Sequence, residues 1–197
     1  MQTFLFFIDR ISTWVGKVFA WCVLLLTFVV AYEVFMRYVM SAPTRWAYDT
    51  SYMLYGTLFM MAGAYTLSRN AHVRADVLMR YAPVRVQAGL DLILYFLFFL
   101  PAIVALVFFG YEFARVSWVM GERSALSPQG PPLYAFKAVI PLAGFFLLLQ
   151  GIAEVARCVM CLRDGKWPAR FEDVREMEEI LPAHKQAESQ QPEETRS

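Results

Sequence analysis

The sequence predicts an all-α integral membrane protein with four transmembrane helices and short interfacial amphipathic helices. Three observations predict it. The 197 residues are 58% hydrophobic and 16% aromatic, with a mean hydropathy of +0.44, too apolar for a soluble globule that must present a polar surface. The charges are unevenly placed. Uncharged windows of 15, 19, 20 and 16 residues separate Lys17 from Glu33, Asp49 from Arg69, Asp91 from Glu112 and Lys137 from Glu154. At 1.5 Å per residue these windows cover roughly 22 to 30 Å, and flanking Lys and Arg can snorkel to complete the shorter ones. Finally, there is no repeat of short alternating strands, so helices remain the only way to satisfy the backbone in lipid. The spans fall near 15–37, 49–69, 89–113 and 133–157, within one membrane domain over 1–181.

The first apolar run has a charged start at Arg10 and Lys17, as a signal peptide would. It continues into Glu33 and Arg37 with no small-residue cleavage site, so it reads as a retained helix. Ahead of it, Phe4, Ile8, Ile11 and Val15 recur at helical spacing, and 1–14 is expected to form an interfacial helix. Lys and Arg set the orientation. The side holding both termini and the middle loop carries eleven of them near the spans, and the opposite side carries five. That excess places the N- and C-termini in the cytoplasm.

The outward turn is Ser41-Ala42-Pro43-Thr44-Arg45-Trp46. Pro43 stops the first helix and Thr44 can cap the second, while Trp46 and Tyr48 suit the headgroup level. Asp49 falls in the first turn of the second span, where the helix dipole favours a carboxylate. Gly56 and Gly63 lie seven apart on that span, and Gly144 and Gly151 seven apart on the fourth. Small residues let helices approach closely in lipid, so these are packing seams, either within the bundle or against another subunit. Glu33/Arg37, Glu112/Arg115 and Glu154/Arg157 each sit one turn apart at a span end and read as pairs that anchor helix ends.

The middle loop is too long for a simple turn. An apolar face (Val73, Val77, Tyr81) opposite Arg74, Asp76 and Arg80 predicts a surface-lying helix near 73–82, in which His72 is a solvated or capping residue. The loop holding Pro128, Gly130, Pro131 and Pro132 reads as an ordered outer connection. Trp167, Phe171, Val174 and Leu181 share a face of a second interfacial helix near 167–181, and 182–197 is a polar tail of disordered composition.

Composition and motif search exclude most chemistries. A net charge of +1 without a basic aromatic groove excludes nucleic acid. Both histidines, His72 and His184, lie outside the spans, so a haem-carrying bundle lacks its ligands, and no phosphate loop, nucleophilic triad or metal cluster is present. No cofactor is expected. Cys158 and Cys161 form C-V-M-C, which raises a thiol/quinone redox protein as an alternative, but the pair sits at the cytoplasmic end and its only companion is Cys22, inside the first span. Span centres carry no acidic or basic residue, so the chain is expected to lack a buried ion or proton relay. Physics alone therefore points to a membrane protein that works by interaction; an unrelated membrane adaptor is the other alternative.

R-Y-V-M-S-A-P-T-R-W-A-Y-D at 37–49, followed by a span and then N-A-H-V-R-A-D-V-L at 70–78, resembles the DctQ-like small membrane subunit of tripartite ATP-independent periplasmic (TRAP) transporters. Arg37, Pro43, Trp46, Asp49, His72, Arg74 and Asp76 match the family pattern in order, although the family more often has Glu where Asp49 stands. The resemblance covers roughly 10–160. It implies a scaffold for a large, DctM-like membrane subunit in sodium-coupled uptake of an organic acid, delivered by a periplasmic substrate-binding protein in the bacterial inner membrane. In that frame Arg37, Trp46 and Asp49 face outward and His72, Arg74 and Asp76 face the cytoplasm, two clamps at the ends of one scaffold helix.

Overall fold

The computed structural model describes residues 2–69, 83–126 and 130–168. Four long helices account for almost all of them: α1 (Gln2–Tyr38), α2 (Ala47–Ser68), α3 (Val84–Met120) and α4 (Leu133–Asp164). The all-helical expectation holds among the described residues, where the only extended pairing is an isolated bridge between Arg123 and Pro132. Three helices, α1, α3 and α4, are long and apolar enough to cross a membrane. The 22 residues of α2 are long enough but less apolar, since Thr50, Ser51, Thr57, Thr66 and Ser68 dilute the helix.

The first 14 residues were expected to form a separate interfacial helix. Instead they continue into the first span as one helix of 37 residues. The reason is the face they bury: Leu5, Ile8, Asp9, Ser12 and Val15 are all buried within the protein. Leu5 and Ile8 pack against Ala153 of α4, and Val15 against Met61 of α2 and Ala143 of α4. Further along, Phe19, Cys22, Leu26, Val29, Glu33 and Met36 are half-buried. Together with Val15 they recur at alternating steps of four and three, the period of a left-handed helix pair. α2 runs back along α1 over most of that length, with Tyr65 pressed where Gly16 has no side chain.

α4 is the central element, touching α1, α2 and α3. Two prolines shape α3 and α4. Pro101 lacks an N–H and its ring would clash with the carbonyl four residues back, and the helix widens to a π turn at Tyr95–Phe99 just before it. Pro141 would crowd Lys137 in the same way, and the helical ladder breaks at Ala138 between Leu133–Lys137 and Val139–Asp164. α3 and α4 end on glycines in the left-handed region, Gly121 (φ 59°) and Gly165 (φ 72°), which supply the C-terminal turn without a Cβ penalty.

A hydrogen bond from Ser124 to Asp49 joins the α3–α4 connection to the first turn of α2. Both short connections, 39–46 and 121–132, therefore lie at one end of the bundle. The N-terminus of α1, the C-terminus of α2, the start of α3 and the end of α4 gather at the other, where Leu67, Tyr95 and Cys158 pack together. The helix expected near 73–82 lies outside the described residues, as do 182–197 and all but Trp167 and Pro168 of the helix expected over 167–181.

Candidate functional site

At the connection end, Glu33 in the last turns of α1 organises the first turn. Its carboxylate accepts from Arg37 Nη2 at 2.7 Å and Nε at 3.0 Å, and from the Thr44 backbone N–H at 3.0 Å. The Thr44 hydroxyl bonds the same carboxylate. Thr44, expected to cap α2, is thus used to pull the turn back onto α1, and Trp46 occupies the position before α2 instead. Ser41 makes the turn possible by adopting φ 53°, a left-handed conformation.

The outward residues of the expected clamp take different places. Arg37 is half exposed and, among the described residues, pairs with Glu33 of its own helix. Trp46 is exposed on its outer face and stacks on Tyr32 at 6.1 Å between centroids. Asp49 is buried, at the third position of α2, where N-terminal amides favour a carboxylate, and accepts from Ser124 Oγ at 2.8 Å. Two residues before Ser124, Glu122 forms an ion pair with Lys137 at 2.5 Å, and Lys137 also lies 4.0 Å from the Phe113 ring. The Lys137 ammonium holds the Glu122 carboxyl below its ordinary range. His72, Arg74 and Asp76 lie outside the described residues.

All four glycines singled out from the sequence face other helices of this chain. A Cβ on Gly56 would meet the Phe136 ring at 2.5 Å, and one on Gly63 would meet Leu147 methyls at 3.4 Å, which makes these the α2–α4 seam. On α4, Gly144 lies against Val107 (2.9 Å) and Gly151 against Phe99 (2.4 Å), forming the α3–α4 seam. Each of the four therefore faces a neighbouring helix within the chain.

The opposite end holds what sequence reasoning missed. Asp9 and Ser12 of α1 meet Gln150, Glu154 and Arg157 of α4, and each of the five is at most 2% exposed. Arg157 is forked between the two carboxylates, Nη2 on Asp9 and Nη1 on Glu154. Gln150 donates to Asp9 at 3.0 Å and Glu154 at 3.3 Å, and accepts from Ser12 Oγ at 2.8 Å. This corrects two expectations. Glu154/Arg157 is not a solvent-facing helix-end pair, and the chain does contain a buried ionic cluster. The physical reason is that α1 starts some four turns earlier than its uncharged window and brings Asp9 inside. A signal was present: Asp9 and Ser12 share a face with Leu5, Ile8 and Val15, and a carboxylate on an apolar face needs a buried partner. The cluster is closed to solvent and ties two helices; it offers no open face to a ligand.

Neither Cys158 nor Cys161 is in a disulfide and both are buried, Cys158 against Leu67 and Tyr95. No group of three His, Cys, Asp or Glu residues with metal-site geometry occurs among the described residues.

The model of the family described as "Tripartite ATP-independent periplasmic transporters, DctQ component" matches residues 26–160. The chain belongs to the DctQ family. Among curated proteins none matches it. The DctQ match starts midway along α1 and ends near the close of α4, so it takes in both connections, the four seam glycines and Arg157, and leaves Asp9 and Ser12 outside. A DctQ protein is a transporter component, and the geometry is that of a multi-pass helical membrane bundle.

Proposed function

We infer that this chain is the small permease subunit of a TRAP-type secondary transporter, a rigid scaffold for a large DctM-like membrane subunit. In this reading it takes part in sodium-coupled uptake of an organic acid handed over by a periplasmic binding protein. It crosses the bacterial inner membrane four times with both termini cytoplasmic. α2 is the additional span: it lies antiparallel to α1 and beside α4, and in a bundle the neighbours cover its hydroxyls. The Lys and Arg excess at the terminal end supports the orientation.

The observation that carries the scaffold role is the use made of the buried polar groups. Asp9, Gln150, Glu154 and Arg157 bond one another, and Asp49 bonds Ser124, so these groups stitch helices and connections together. Binding-competent surface is instead apolar, on the outward faces of α1 and α3 (Phe28, Phe35, Phe96, Phe98, Phe108 and Phe109). The Arg37, Trp46 and Asp49 region faces the periplasm, where the binding protein docks.

Co-expression with a DctM-like large membrane subunit tests the reading. The two chains are expected to co-purify, and reconstituted uptake is expected to need the large chain, a sodium gradient and the binding protein. Substrate uptake by this chain alone in proteoliposomes would overturn the scaffold role.

A further inference from the structure

α1 is longer than a bilayer requires. At 1.5 Å per residue its 37 residues extend about 55 Å, against a hydrocarbon core of about 30 Å. The surplus lies at the N-terminal end, where the Asp9–Arg157 pair holds the helix on α4 rather than letting it swing free. On the side facing away from that pair, five residues follow one another at steps of three and four: Phe7, Arg10, Trp14, Lys17 and Trp21. At 100° per residue they fall within an arc of roughly 80°, nearly opposite Leu5, Asp9 and Ser12. Phe7, Trp14 and Trp21 are 61%, 66% and 67% exposed. Arg10 and Lys17 are exposed too, and neither pairs with a carboxylate among the described residues.

We propose that this stripe is a binding site for anionic phospholipid, with Arg10 and Lys17 each engaging a headgroup phosphate, Phe7 and Trp14 lying on the headgroup side and Trp21 against the acyl chains. The proposal deepens the membrane-spanning reading above and rests on it. Charge and chemistry single out the ligand. An apolar stripe alone would suit any lipid tail or any helix, but here cations alternate with rings, each cation standing between two aromatics one turn away on either side. Indole and phenyl rings of this kind sit at the membrane–water boundary, and Lys and Arg beside them extend to the phosphates. Lys17 marks the end of the uncharged window, so it stands where hydrocarbon gives way to headgroups, and Arg10 lies about 10 Å further along the helix axis. The buried acid, Asp9, is turned to the other side and satisfied there, so it does not neutralise the stripe.

The full-length chain in mild detergent, incubated with phosphatidylglycerol and phosphatidylcholine at equal concentration, is examined by native mass spectrometry. At least a five-fold preference for retained phosphatidylglycerol is expected, collapsing to near equality in Arg10→Gln/Lys17→Gln. The control Arg115→Gln, on an exposed pair at the other end of α3, is expected to keep the preference. Equal retention of the two lipids by the wild type would overturn the site, as would a double variant that still selects phosphatidylglycerol. Loss of co-purification with the large subunit in the double variant, with lipid selectivity unchanged, would assign the stripe to that subunit instead and equally overturn it. Carbonate extraction of membranes separates this from the parent reading: a chain released by carbonate would defeat the spanning topology, whereas a chain retained without lipid selectivity defeats only the stripe.

Discussion

Asp9 and Arg157 stand 148 positions apart in the chain and form an ion pair in its interior, closing the N-terminal turns of α1 onto the last turns of α4. Arg157 also holds Glu154, so one guanidinium serves two buried carboxylates. Two carboxylates deprived of that partner in a water-free site are costly, and removal of one member of such a pair typically costs about 3–5 kcal/mol. Arg157→Met is expected to destabilise the detergent-solubilised chain by that order, read as the shift in its unfolding midpoint. Replacing Asp9, Glu154 and Arg157 together by Leu is expected to recover more than half of the loss, because no buried charge is then left alone. A fully stable Arg157→Met protein would show that the cluster is not closed as described.

The glycine seams differ in how tightly they are closed. At Gly151 an added Cβ would lie 2.4 Å from the Phe99 ring, which is itself held edge-on against Tyr95 at 5.3 Å. At Gly63 the neighbours are Leu147 methyls at 3.4 Å, an ordinary contact for a side chain that can turn. Overpacking of a closed site costs typically about 1–3 kcal/mol. Gly151→Ala is expected to lower the thermal midpoint clearly and Gly63→Ala hardly at all. The reverse order in a side-by-side melt would contradict the placement of α3 on α4.

How much of this was legible in the sequence follows from where the signal lay. Uncharged windows announced α1, α3 and α4 because the cost of charge in lipid acts on every residue of a span. The glycines at 56, 63, 144 and 151 announced seams, and the structure showed which helices they join. The helix start at Gln2 was not legible from hydropathy, because Asp9 and Arg10 interrupt the run and only tertiary pairing with Arg157 takes Asp9 inside. Thr44 misled for a related reason: a hydroxyl before a helix suggests a cap, yet a carboxylate eleven residues earlier, Glu33, competes for it and wins. Periodicity could place Asp9 on a buried face, but it does not name the distant partner.

The pair Glu122–Lys137 gives the connection end a pH dependence of definite sign. Glu122 ordinarily titrates near 4.5, and Lys137 holds it lower in the folded chain. A depressed carboxyl contributes stability that is present above its unfolded value and lost as pH falls through its folded value. The thermal midpoint of the wild type is therefore expected to exceed that of Glu122→Gln at pH 7, with the gap closing as pH drops below 4.5. A gap that widened on acidification would reverse the assigned sign.

Cys158, packed against Leu67 and Tyr95, and Cys161 are both buried and are expected to be chemically silent. Maleimide labelling of the folded chain is expected to leave both unmodified until denaturant is added. Cys158→Ala/Cys161→Ala is expected to support wild-type uptake in cells expressing all subunits. Uptake abolished by the double substitution, in a chain that still assembles, would revive a thiol-based role.

Arg37 and Asp49 were paired in the sequence pattern, yet their surroundings predict unequal consequences. Arg37 is half exposed and bound to Glu33 one turn away, and exposed pairs of this kind are worth about 0.3–0.5 kcal/mol. Asp49 is buried, and removing its carboxylate would leave the Ser124 hydroxyl without this partner, at a cost of about 1–3 kcal/mol. It would also release the only side-chain hydrogen bond seen between α2 and the α3–α4 connection among the described residues. Asp49→Ala is therefore expected to lower stability and uptake together, and Ser124→Ala to reproduce part of that loss. Arg37→Ala is expected to leave the melting midpoint nearly unchanged, so any fall in its uptake must come from a surface contact with another subunit. Equal destabilisation by Arg37→Ala and Asp49→Ala in a melting experiment would show that both belong to one buried network, contrary to their places here.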